Sequence, residues 1–458
     1  MTNASEARTR ASAGRAPGRS QAGPRQSQDA AGTPAVHARA GEHGAAAAVP
    51  LAASTEGSVG RGAGMSPALV VTLLALLLGT QPITTDLYLP ALPGLAADLH
   101  SPMSRTQLTL SALLFAFGFS QLLLGPAADR FGRRPVLLAG LGVFVVASIG
   151  GALAPDIGTL VAWRALQGVG MAAAVVCARA MVRDLYLPSE GARVMSKALS
   201  GLGFIALASP LLGGLLATLL GWRHAPAATA VFGAVCLAVV ALALNETVPA
   251  RNPLALRIAP MFAQWARIVR HPTFTAWAAL VACTYGGLFA FLAGSSFVFI
   301  EVLGSSRMAY GLYIAGCSVC YIAGTFWCRR WLLAHGLAGA VKRGAAFTLA
   351  GGVAMLGLAA AGVISPWAIA VPQFVYAFGH GIHQPCGQAA VVGPFPQHAG
   401  AASALAGFIL AATAVAVGAW LGVAMNGTVW PLVTTVCAMA VATALVAWTL
   451  VQRHGEGQ

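Results

Sequence analysis

The sequence predicts an all-α membrane protein with twelve membrane-crossing helices in two groups of six, and three observations carry that prediction. Hydrophobic residues make up 57% of the chain and charged residues only 9%, at a mean hydropathy of +0.75. A soluble chain of 458 residues needs far more charge to cover its surface. The apolar residues fall in twelve runs, each near the ~20 residues a helix needs to cross a bilayer. The longest internal connection, 246–272, carries Arg251, Arg257, Arg267 and Arg270 and leaves six runs on either side.

Taken in order, residues 1–64 are rich in Ala, Gly, Ser, Arg and Pro with no apolar period, which predicts a disordered tail. Glu6, Asp29, Glu42 and Glu56 argue against a transit peptide, and no short apolar run follows a charged start as in a secretory signal. Met65, just before the first run, offers a second start of translation. The runs lie at 67–91, 105–128, 135–154, 158–181, 195–220, 226–245, 273–299, 309–328, 344–363, 366–391, 400–424 and 430–451. Hydrocarbon leaves backbone groups no partner but one another, so each run is expected to be a helix. The domain organisation that follows is a tail (1–64), a first six-helix unit (65–245), a cytoplasmic linker (246–272), a second six-helix unit (273–451) and a short cytoplasmic tail (452–458).

The basic residues set the orientation. The net charge of +14 would suggest nucleic acid in a soluble protein, but here the cations sit between apolar runs, which excludes that partner. With both termini in the cytoplasm, 23 of the 27 Lys and Arg lie inside; Arg105, Arg223 and Arg307 lie outside, and Arg164 lies within the membrane. This satisfies the positive-inside rule. The eight cysteines fall in or beside apolar runs and read as small buried hydrophobes, with Cys317 and Cys320 too isolated for a metal or redox motif. Asn245-Glu-Thr and Asn426-Gly-Thr match a glycosylation pattern too short to decide anything, and Trp222 and Trp430 fit interfacial anchors.

One polar interruption stands out. GPAADRFGRRPVLLAG, residues 125–140, places Gly125, Asp129, Arg130, Gly132, Arg133 and Arg134 on a tight turn between the second and third runs. Glycines there allow close helix approach, and an acid among arginines can form a charge-assisted latch between moving helices. The run resembles the signature loop of the major facilitator superfamily. Thr85-Asp86-Leu87-Tyr88-Leu89-Pro90-Ala91-Leu92-Pro93, Arg164-Ala-Leu-Gln-Gly168, Ser209-Pro210-Leu-Leu-Gly213-Gly214 and Ala399-Gly-Ala-Ala-Ser403-Ala-Leu405 resemble the drug:proton antiporters of its bicyclomycin-resistance (Bcr/CflA) branch. The resemblance implies two six-helix bundles around a central cavity, an inner gate that includes Asp129, and an antiporter interface shaped by Pro210, Gly213 and Gly214. It also implies a bacterial inner membrane, a monomer, no cofactor, and protons and small molecules as partners.

The two halves resemble each other weakly. Gly168-Val-Gly170-Met171 is similar to Gly379-His-Gly381-Ile382, and Ala198-Leu-Ser-Gly201 to Ala404-Leu-Ala-Gly407, as expected of corresponding helices in two repeats. The second copy of the signature loop departs from the first: Gly324-Thr-Phe-Trp-Cys328-Arg329-Arg330 has Cys328 where the first has Asp129, so an asymmetric latch is expected.

Charge within a membrane costs about 2.5–3.5 kcal/mol at a helix centre, so Asp86 and Arg164 need a reason. Asp86 is expected to bind and release a proton as the cavity changes access, or else to cap and pair at the outer interface. Arg164 shares a helical face with Gln167 and Gly168; it faces the cavity and couples to Asp86 or to substrate, or else anchors the fourth helix from outside. On the tenth helix Gln373, Tyr376, His380, His383, Gln384, Gly387 and Gln388 lie within about 140° of one another. That face lines a substrate cavity, or its histidines bond to neighbouring helices; Pro385 can kink the helix beyond it. His380 and His383 also have metal-ligand spacing, without a clear third ligand.

The expected function is proton-coupled efflux of small amphipathic drugs by alternating access, with the bilayer as the other partner and no enzymatic step. A nucleotide-driven pump lacks its GxxxxGK[ST] motif. Uptake of a metabolite by the same fold is the alternative, and an intramembrane metal-dependent enzyme built on the two histidines is a second.

Overall fold

The computed structural model describes residues 65–186, 188–248, 251–253, 255–395 and 398–455; the expected disordered tail, 1–64, lies outside the described residues. Ser66 caps α1 (Pro67–Thr85), its Oγ accepting from Leu69 N at 3.3 Å. Pro82 removes one intrahelical donor, and the helix stops at Thr85, with Asp86 as its C-cap. A 3₁₀ turn (Leu89–Ala91) and a short helix, α2 (Leu92–Asp98), carry the chain onward, with Pro90 and Pro93 near the start of each, where a missing N–H costs least. The expected run 67–91 is therefore a broken helix.

The first half continues with α3 (Met103–Phe131), α4 (Arg133–Ala152), α5 (Ile157–Leu185), α6 (Pro188–Leu219) and α7 (His224–Ala243). The connection read as a linker holds α8 (Ile258–Val269), whose Met261 and Ile268 are buried while Phe262 is exposed. Its apolar residues recur at helical spacing, a pattern that its arginines obscure. The second half comprises α9 (Pro272–Phe297), a π turn (Val298–Val302), α10 (Arg307–Ala360), α11 (Pro366–Ala390), α12 (Ala399–Ala424), α13 (Trp430–Trp448) and α14 (Leu450–His454).

Ten helical stretches among the described residues are long and apolar enough to cross a bilayer. One of them, α10, breaks at Gly336, where φ is 67°. Its arms run along α11 in opposite senses: Gly316 and Gly324 meet Phe374 and Phe378, whereas Gly344 and Gly351 meet His383 and Tyr376. The arms correspond to the expected runs 309–328 and 344–363. With α11, whose polar face lowers its hydropathy, they complete twelve spans.

Among the described residues the buried apolar side chains form three clusters, and their membership is uneven. At the end of the molecule that carries Asp98 and Arg307, one cluster joins both halves, from Leu87, Tyr88 and Leu110 to Phe289, Phe291 and Tyr310. Toward the Asp129 end, one cluster belongs to the first half alone, and the other belongs to the second half apart from Leu122 and Ile268 of α8. Trp222 is part of the joint cluster and only 4% exposed. Its indole Nε1 donates to Asp98 Oδ2 at 3.0 Å and Arg223 covers its ring, so it is a packed residue and not an interfacial anchor; Trp430 is exposed as expected.

Candidate functional site

At the Asp129 end, Gly132 has φ 108°, and a Cβ there would strike Glu246 Oε2. Only glycine lets the turn close this tightly. The carboxylate of Glu246 then caps α4, with Oε1 accepting from Arg133 N at 2.8 Å and Oε2 from Arg134 N at 3.3 Å. Burial alone pushes the Glu246 carboxyl up; the backbone N–H groups of Val248, Arg133, Thr247 and Arg134 outweigh it and hold the group below the ordinary glutamate range. The Arg133 side chain is buried between two carboxylates, Asp129 Oδ1 at 2.5 Å and Asp184 Oδ2 at 2.9 Å. Arg134 Nη2 donates to Ala241 O at 2.9 Å, near the last turn of α7, and Arg130 lies over the Phe131 ring. Gly125 stands in looser contact with Val176. The charged cluster thus ties α3, α4, α5 and the chain after α7 together within the first half.

The membrane-embedded pair is arranged differently. The Asp86 carboxylate is half-buried and accepts from the neighbouring Thr85 Oγ1 at 2.8 Å. It lies within electrostatic reach of Tyr285, Tyr310 and Cys317 of the second half. Arg164 is 3% exposed. Its Nη1 donates to Gln167 Oε1 at 2.6 Å, its Nη2 donates to Thr84 O at 3.2 Å, and its guanidinium lies 4.2 Å from the centre of the Tyr88 ring. The end of α1 at Thr85 is what leaves the Thr84 carbonyl oxygen available. Gln167 Nε2 continues the chain to Ser148 Oγ on α4 at 2.7 Å. Asp86 and Arg164 therefore have separate partners at the break in α1, and the structure records no ion pair between them.

On α11 the polar face converges on one residue of α9. Thr284 Oγ1 lies 3.1 Å from His380 Nδ1 and 3.3 Å from His383 Nδ1. Tyr376 Oη donates to Thr284 O at 2.8 Å, and His383 Nε2 meets Val341 O at 3.2 Å. Gln373 is fully buried with both amide atoms unpartnered, and Gln384 Oε1 is likewise buried without a partner. Gly387 packs on Val281 of α9. Both nitrogens of His383 are engaged by protein groups, and no group of three His, Cys, Asp or Glu among the described residues is placed to hold a metal. Cys328 and Cys386 face each other with sulfurs 3.3 Å apart, both buried.

The third arrangement joins the halves. Gly213 packs on Leu87 O, Gly214 on Arg307 O, and Pro210 O against Gly311. A side chain at any of these glycines would separate α6 from the broken α1 or from α10. Arg307 Nη1 donates to Ala217 O at 2.8 Å across the same seam. Sequence reasoning did not single out Thr284, Asp184, Glu246 or Arg307. A threonine in an apolar run carries no signal, Glu246 reads as the start of the linker and the middle of Asn245-Glu-Thr, and Arg307 as an outer charge. Asp184, an acid beside Arg183 at a helix end, was the one legible clue.

A model of the Major Facilitator Superfamily matches residues 74–419. An uncharacterized MFS-type transporter of Bacillus subtilis, YdgK, is 31% identical over 256 residues, 56% of this chain and 64% of that protein, so the match spans just under two thirds of that relative. Multidrug resistance protein D of Escherichia coli is 29% identical over 74% of this chain and 84% of its own length. A bicyclomycin resistance protein homolog of Haemophilus influenzae is 25% identical over 84% of this chain and 96% of its own. Among solved structures, the xylose transporter XylE of E. coli superposes with a TM-score of 0.67 at 15% identity, covering 83% of this chain and 97% of that one, a likeness of fold.

Proposed function

Because the chain belongs to the Major Facilitator Superfamily, we propose that it is a proton-coupled exporter of small amphipathic drugs, working by alternating access in a bacterial inner membrane. The names of its multidrug and bicyclomycin resistance relatives support the substrate class. The Asp129 end, with most of the basic residues, faces the cytoplasm, and the Asp98 end faces outward. The apolar cluster shared by both halves then closes the outer side, whereas the inner apolar clusters are separate for the two halves apart from Leu122, and Pro210, Gly213, Gly214 and Arg307 hold the outer seam. The charged cluster around Arg133 stays within the first half in this state and is free to engage the second half in the opposite one. The chain acts as a monomer of two six-helix domains, 65–245 and 273–451, joined by 246–272; it transports and performs no covalent chemistry.

The observation that carries the reading is the placement of Asp86. It is a carboxylate at a break in α1, half-buried, bonded to a neutral hydroxyl and separated from Arg164, which has other partners. Such a group gains a proton when the cavity is dry and loses it when water or a cationic substrate arrives. Arg164 holds the first half rigid around it through Thr84 and Gln167. Substrate is contacted from the second half by the α11 face, through Gln373, His380 and Gln384, while Tyr376 and His383 are bonded to Thr284 and position that face.

The test is pH-gradient-driven movement of a panel of dyes and antibiotics into inverted vesicles, comparing wild type with Asp86→Asn. The gradient drives wild-type uptake, and Asp86→Asn abolishes the drive at equal membrane content. Unchanged driven uptake by the variant removes Asp86 from coupling.

A further inference from the structure

The histidine pair on α11 has a hydrogen-bond order that can be worked out atom by atom. Val341 O only accepts, so His383 Nε2 carries the hydrogen. In a neutral His383 the Nδ1 is then a lone pair and accepts from the Thr284 hydroxyl. A threonine hydroxyl donates once, so the contact between Thr284 Oγ1 and His380 Nδ1 must run the other way, with His380 Nδ1–H donating. The neutral His380 ring is thereby left with a lone pair on Nε2, and no protein group among the described residues meets it. The whole chain from Val341 to His380 fixes one tautomer of one imidazole.

The surroundings of that atom indicate what it reads. The His380 ring lies 5.6 Å from the Tyr321 ring and 6.4 Å from the Tyr285 ring, centre to centre, both tilted. Tyr285 and Tyr321 are half-buried, so they border open space, and neither hydroxyl has a partner among the described residues. Three elements, α9, α10 and α11, thus present an aromatic wall with one fixed acceptor in it. Tyr285, like Tyr310, is also within electrostatic reach of Asp86.

Resting on the exporter reading above, we propose that His380 Nε2 is a specificity-determining acceptor for aromatic cations that carry an N–H or O–H donor. The aromatic body lies against Tyr285 and Tyr321, and the donor bonds to Nε2. Thr284 and His383 are positioning residues, since they act through His380.

Two probes separate the acceptor from the wall. Ethidium and tetraphenylphosphonium are both aromatic cations, but only ethidium has N–H donors. Equilibrium binding of each to the purified full chain, in detergent at fixed pH, is compared for wild type, His380→Phe, Thr284→Val and Thr284→Ser. His380→Phe keeps a ring and removes the acceptor; it weakens ethidium about tenfold, the worth of one hydrogen bond, and leaves tetraphenylphosphonium within about twofold. Thr284→Val releases the tautomer and weakens ethidium alone by a smaller factor, while Thr284→Ser restores it. The two sites are independent routes to the same test, should either variant fail to purify. Equal weakening of both probes, or unchanged ethidium binding, overturns the proposal. Wild type that binds neither probe overturns the ligand class, while gradient-driven uptake of other compounds in the vesicle assay would still leave the exporter reading standing.

Discussion

The fourth and tenth spans each bury a polar constellation, and they do so in opposite ways. On α5, Arg164 is a permanent cation held by acceptors and a ring, Gln167 Oε1, Thr84 O and Tyr88, without a carboxylate. On α11, His380 and His383 share the hydroxyl of Thr284. A guanidinium does not give up its proton in a protein, so the first arrangement can only position. An imidazole can donate, accept and reverse, so the second can recognise. The two copies of the signature loop differ in the same sense: Asp129 joins an ion pair with Arg133, whereas Cys328 meets Cys386 and Ile382 O in an uncharged contact. The first half carries fixed charge and the proposed proton site, and the second carries the histidine face of α11.

The sharpest way to break this comparison is to give the second copy the acid of the first. Cys328→Asp buries a carboxylate against a thiol and a carbonyl oxygen, which costs about 3 kcal/mol or more; yield of folded protein should fall severely, and normal yield with unchanged thermal stability would show that the second copy accepts a latch. Arg164→Met comes next. It leaves the Gln167 and Thr84 acceptors unmet, about 1–3 kcal/mol for each buried group, and thermal unfolding in detergent should drop by several degrees. Arg164→Lys should not restore it, because one ammonium cannot span both acceptors from one position. Thr284→Val should lower stability by about 1–3 kcal/mol through the two histidines, with Thr284→Ser close to wild type in the same melt.

The smallest effect sharpens the charged side. The folded-state pKa of Glu246 is depressed, so its contribution to stability is present above the ordinary glutamate pKa and is lost as pH falls through the folded value. Wild type should melt above Glu246→Gln at neutral pH, and the gap should close in acid. A gap that persists unchanged in acid would show that the cap acts through packing rather than charge.

The sequence made the spans legible because hydrocarbon demands long apolar helices, and it marked Asp86, Arg164 and the Asp129 turn because charge in such a chain is scarce. The repeat was legible, but its register was not. Gly168 packs on Leu113 O of α3, and it is Gly381, not Gly379, that makes the like contact on Tyr321 O of α10; Gly379 packs on Gly344 O of the other arm. Helix packing decides which of two nearby glycines matches, and no pattern of small residues reveals it. Thr284 was hidden for a related reason: its importance lies in what α11 brings to it, nearly a hundred positions of chain closed by tertiary contact. Along α11 the histidines and glutamines advertised a polar face, but the sequence could not say that His383 turns to Val341 O and Thr284 while His380 keeps a lone pair in hand.

The central claim is that coupling resides at Asp86 and recognition at His380. The direct test is ethidium transport into inverted vesicles over a range of concentrations, with and without a pH gradient, for Asp86→Asn and His380→Phe side by side. The account predicts that Asp86→Asn loses the response to the gradient while still binding ethidium, and that His380→Phe keeps the response with KM raised about tenfold. Loss of gradient response in His380→Phe, or its retention in Asp86→Asn, would contradict the division of labour between the halves.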